Sequence, residues 1–90
     1  MNPSVQSPEP DSFRTISEFR ECIIRGGEPV FSWHGVCYGV CFYESGYCVA
    51  RADGSKEKIC ATPDEVLEYM VGADRLRDVI TKVEVLSRTI

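Results

Sequence analysis

Apolar positions along this chain switch from a helical to an alternating period and back, with Gly26-Gly27 at the first change and Thr62-Pro63 at the second. Ile16, Phe19 and Ile23 recur at helical spacing, with Ile24 widening the stripe. Thr15-Ile16-Ser17-Glu18 ahead of them matches a capping box, and Gly26-Gly27 after Arg25 supplies a stop. The spacing predicts a helix over 16–25. Strand periodicity then takes over: Val30 to Trp33 and Val36 to Tyr43 flank His34-Gly35, which fits a tight two-residue hairpin. Glu44-Ser45-Gly46 reads as a three-residue loop with its glycine left-handed, leading into a strand from Tyr47 to Ala52. Asp53-Gly54-Ser55 makes the next turn, and the charged stretch Lys56 to Ala61 suits a sheet edge.

Thr62-Pro63-Asp64-Glu65 repeats the capping box with proline at the first helical position. Val66, Leu67, Met70 and Val71 form its apolar stripe, and Gly72 is read as its end. Asp74 is placed to cap a further turn or two carrying Leu76, Val79, Ile80 and Val83. Val83-Glu84-Val85-Leu86 alternates, as a short last strand would. The fold class expected is α+β: an N-terminal helix, a four-stranded antiparallel β-meander, and a C-terminal helix or two short helices packed on one sheet face.

Turn lengths assign the faces. With Trp33 opposite Val36, alternation groups Phe31, Trp33, Val36, Tyr38, Val40 and Phe42 as the core face. The three-residue loop adds Cys48, Ala50 and Ala52 to it. Replacing Trp33 by Ala would cost about 3–5 kcal/mol if the ring is buried. The second face then holds Val30, Ser32, Cys37, Gly39, Cys41, Tyr43, Tyr47, Val49 and Arg51, which is apolar and aromatic for a solvated surface. Cys41, Tyr43, Tyr47, Val49 and Arg51 are therefore the candidate partner-binding residues. The competing reading has residues 83–90, or a helix, covering that face internally.

Length and charge narrow the setting. Ninety residues make one domain. Residues 1–12 (MNPSVQSPEPDS) are rich in proline and serine and read as a flexible tail, leaving 13–90 as the domain. The net charge of −4, with basic residues scattered among acids, disfavours a phosphate-backbone binder. No apolar run reaches the roughly 20 residues of a membrane span. No basic stretch leads into an apolar one at the N-terminus, so a cytoplasmic setting is expected.

Five cysteines, an odd number, fit small buried hydrophobes in a reducing compartment. Cys37 and Cys41 on one strand stand about 13 Å apart at roughly 3.3 Å per residue, too far to share a zinc ion or a disulfide. No metal and no cofactor are expected. A thiol nucleophile near His34, the only histidine, lacks a recognisable orienting acid. Gly26-Gly27 runs from helix to strand, the reverse of a phosphate loop. The charged stretch Asp74-Arg75-Leu76-Arg77-Asp78 reads as a solvated face with local ion pairs.

Glu18-Phe19-Arg20 running through Gly26-Gly27 into Phe31-Ser32-Trp33, together with TPDEVLEYMVGADRLRDVI at 62–80, resembles a group of small uncharacterised single-domain proteins of Gram-positive gut bacteria. Some of these lie near prophage or mobile elements. The resemblance covers most of residues 15–90 and rests on caps and core positions. It implies a bacterial cytosolic setting and a mobile-element role, and carries over no functional residue.

The function expected is a non-enzymatic protein–protein interaction module, such as an adaptor, a regulator or a mobile-element inhibitor or immunity protein. It would use the second sheet face or the edge strand, with another protein or a second copy as partner, and neither nucleic acid nor membrane. The alternative is a small thiol-dependent enzyme or redox protein using Cys37 or Cys41.

Overall fold

Helix α1 (Ile16–Ile24) starts where Thr15 Oγ1 accepts the Glu18 N–H at 3.1 Å. The Glu18 carboxylate reaches back to the Arg14 N–H at 2.6 Å, one residue before the amide a capping box normally engages. At the other end Gly26 adopts φ 91°, and the Gly27 and Gly26 N–H groups bond to the Cys22 and Ile23 carbonyls at 2.9 and 3.1 Å. That pair of bonds is a Schellman stop, which glycine permits because the left-handed backbone carries no Cβ penalty.

The computed structural model describes residues 12–88; the predicted tail, Ser12 apart, lies outside them. Strands β1 (Val30–Trp33), β2 (Val36–Tyr43), β3 (Gly46–Arg51) and β4 (Lys58–Cys60) form the antiparallel meander. His34 and Gly35 both take positive φ (52° and 80°), the left-handed pair that a type I′ hairpin requires, and Trp33 faces Val36. The sheet has five strands rather than four. After the two-residue strands β5 (Met70–Val71) and β6 (Asp74–Arg75), β7 (Glu84–Ser87) pairs antiparallel with β1, giving the order β4-β3-β2-β1-β7. It joins there because Val85, opposite Phe31, adds a buried apolar side chain to the face that Phe31 already builds.

In the C-terminal half the second of the expected layouts is present, two short helices, but the first of them stops early. Helix α2 (Pro63–Val66) keeps its cap, with Thr62 Oγ1 accepting from Glu65 N–H at 3.2 Å, but it ends after one turn. Beyond it the burial pattern alternates: Tyr69 and Val71 are buried and Met70 is exposed. That is strand periodicity, and β5 and β6 form a small ladder around Gly72, whose φ of 73° serves a turn and not a helix end. Helix α3 (Leu76–Val79) follows, with no side-chain cap from Asp74.

All three helices pack on one side of the sheet. Phe19 and Ile23 of α1, Val66 of α2 and Leu76 of α3 share a single buried cluster with Phe31, Tyr38, Val40, Val49 and Val85 of the sheet. Phe13 joins it edge-on to Phe19 at 5.3 Å, beneath the Arg88 guanidinium, which lies 4.4 Å from the Phe13 ring centroid. Arg88 also donates to the Ser12 carbonyl at 3.0 Å and pairs with Glu18 at 3.5 Å, tying the end of the domain to its start.

Candidate interaction face

The turn between β2 and β3 decides which side chains share a face. Tyr43 pairs with Gly46, so Glu44-Ser45 is a two-residue loop and Gly46 is already in the strand. Val40 therefore faces Val49, Cys41 faces Cys48, and Phe42 faces Tyr47. This register is one residue away from the three-residue loop expected from the sequence, and strand three turns over as a result.

Two groups of side chains change sides. Tyr47, Val49 and Arg51 belong to the helix-covered side. Val49 is 0% exposed within the core cluster, and half-buried Tyr47 packs against that cluster and leans on Phe42, with ring centroids 5.0 Å apart. Arg51, at the strand's end, borders grooves on both sides of the sheet. Cys48, Ala50 and Ala52 move to the outer face, beside Cys41 and Tyr43. Of the five predicted site residues, the structure thus brings Cys41 and Tyr43 together there and withdraws Tyr47 and Val49.

None of Val30, Cys37, Cys41, Tyr43, Cys48 and Ala50 belongs to the core cluster, and no helix among the described residues packs on their side. The face is a shallow groove of about 410 Å³ with a floor of Gly39, Cys41, Cys48 and Ala50. Small side chains make it concave. Tyr43 stands at its rim with 53% of its surface exposed, and Ile59 of edge strand β4 is opposite Cys48 at 45%. Glu57 reaches over the floor, where its Oε2 accepts the Cys48 S–H at 2.9 Å.

The electrostatics of the floor favour protonated groups. Burial, with the Glu57 carboxylate beside it, pushes the Cys48 thiol from 9.0 up to about 12. The Cys41 sulfur next to Tyr43 raises the phenol above its usual range. All five cysteines are free.

Features weighed for chemistry elsewhere have structural roles. The His34 ring lies flat on Trp33, 4.3 Å between centroids and 19° from parallel. Arg75 and Arg77 both pair with Glu68, at 3.2 and 2.7 Å, as a solvated ion-pair network would. Among the described residues no group of three or more His, Cys, Asp and Glu side chains is placed to hold a metal ion. No helix among them is long and apolar enough to cross a membrane.

Compared with family models, curated proteins and solved structures, the chain matches none of them.

Proposed function

We propose that this chain is a non-enzymatic interaction module that binds another protein through the outer face of its sheet. One observation carries the reading. The β2–β3 part of the outer face, built from glycine, alanine, cysteine and tyrosine, has no helix over it among the described residues, while the opposite face carries the core cluster. An antiparallel sheet can leave one face to water, but that face then alternates to polar residues; here Ser32 and Glu84 do so on β1 and β7, whereas β2 and β3 contribute only cysteine, glycine, alanine and tyrosine. The contact residues are Cys41 and Tyr43, joined by Ala50 of β3 and Ile59 of β4. The cytoplasmic setting and a mobile-element role as inhibitor or immunity protein belong to the same proposal.

A photo-crosslinking residue at position 43, compared with one at Glu21 on the exposed side of α1, tests it in cells that make the protein. A discrete adduct from position 43, abolished by Ala50→Lys in a folded variant, supports the outer face as the contact surface. An adduct from position 21 alone, or from neither position, overturns it.

A further inference from the structure

We propose that Cys41 and Cys48 are a dithiol modification site that closes into a reversible disulfide across β2 and β3. The two residues face each other directly in the antiparallel register. The Ala52 N–H bonds to the Cys37 carbonyl at 2.8 Å, which makes Cys37 and Ala52 a hydrogen-bonded pair. Alternate pairs share that character, so Cys41 and Cys48 are also hydrogen-bonded, with Cα atoms about 5.5 Å apart. Disulfides span Cα separations of about 4.4–6.8 Å.

Directly opposed Cβ atoms stand about 4.5–5.5 Å apart in a sheet, hydrogen-bonded pairs at the wide end, against about 3.5–4.5 Å in a disulfide. The strands must draw slightly together, and a bond formed under that tension is readily reduced. Gly39 and Ala50, the next pair on the same face, put no bulk in the way. The remaining thiols are placed otherwise. Cys22 and Cys60 are buried in the core, and Cys37 lies between Ser32 and Ala52.

The oxidant is a small disulfide of the glutathione class, which enters through the outer groove. Half-buried Cys41 is the attacking residue: its thiolate attacks one sulfur of the oxidant, a mixed disulfide forms, and one thiolate leaves. The Cys48 sulfur, held beside the Glu57 carboxylate at 2.9 Å, attacks the Cys41 sulfur, and its proton passes to the departing small thiolate. The protein disulfide forms and the second small thiolate departs. Two protein thiols are oxidised by two electrons, the small disulfide is reduced to two thiols, and the protons end on them. The bond itself is independent of the interaction reading above; only an effect on partner binding would rest on it.

The test incubates the full native chain, carrying Cys37→Ser to prevent crosslinking between molecules, in oxidised glutathione, followed by intact mass and peptide mapping. The expected product has lost two hydrogens, maps to a Cys41–Cys48 linkage, and returns to the dithiol with dithiothreitol. Adding Cys48→Ala is expected to stop the reaction at a glutathione adduct on Cys41. A stable adduct on Cys41 with Cys48 present, a linkage between other cysteines, or reaction only after denaturation would overturn the proposal.

Discussion

Trp33 Nε1 donates a hydrogen bond of 3.1 Å to Asp74 Oδ2 across 41 residues of chain. The bond joins the end of β1 to the β5–β6 ladder, and it gives Asp74 a tertiary role in place of the helix cap that its position in the sequence suggests. With the indole N–H engaged and His34 stacked against the ring, half-buried Trp33 is held by polar contacts as well as by packing.

Asp74→Ala and Trp33→Phe should each lower stability by about 1–2 kcal/mol in urea denaturation. Together they should fall short of the sum by about 1 kcal/mol, because either change alone removes the shared bond. Strict additivity would show that the bond contributes nothing. Trp33→Ala should cost less than the about 3–5 kcal/mol of a fully buried aromatic.

Val49 and Tyr43 provide the test of the register. Val49→Ala should cost about 2 kcal/mol, since it opens a cavity in the core. Tyr43→Ala, at an exposed rim, should change stability by no more than about 0.5 kcal/mol. The opposite ranking would restore the three-residue loop.

Gly46 has φ 131°, and a Cβ there would run into the backbone carbonyl of Cys60. Gly46→Ala should therefore cost about 2–4 kcal/mol, combining backbone strain with overpacking. Gly54 has φ 88° and open space around its missing Cβ, so Gly54→Ala should cost about 1–2 kcal/mol from the backbone alone. Equal thermal midpoints for the two variants would rule out the close approach.

The Cys48 thiol, pushed by burial from 9.0 up to about 12, keeps its proton in the fold at a pH where the unfolded chain has lost it. Its contribution to stability is complete below the unfolded value and is lost as pH rises toward 12. Cys22, Cys60 and Tyr69, each raised by burial, act in the same direction. The urea midpoint should fall between pH 9 and 12, and less steeply in Cys48→Ala. Identical slopes would show that Cys48 titrates alike in both states.

Local signals in the sequence were most informative where a residue type has one dominant use. Both threonine caps, the His34-Gly35 hairpin and the Gly26-Gly27 stop stand where side-chain chemistry puts them. Gly46 misled because a positive φ has two explanations. Read as a turn residue, it makes the loop three residues long; in the fold, its φ accompanies a close approach to Cys60, which no local pattern reveals. That single residue moved Val49 into the core and Cys48 out of it, so the β1 and β2 members of the outer face were legible in the sequence and its β3 members were not. Gly72 repeats the lesson, since a glycine that could end a helix instead turns a two-stranded ladder. The pairing of β7 with β1 rests on contacts between residues more than fifty apart, beyond the reach of periodicity.

The clasp of Arg88 on Ser12, Phe13 and Glu18 means that the domain opens and closes at one point on its surface. A unit whose two ends meet can be spliced into a surface loop of an unrelated scaffold as a cassette, without stretching host or guest. Displayed that way, the outer face of the sheet could be presented to candidate partners on a carrier chosen for the assay.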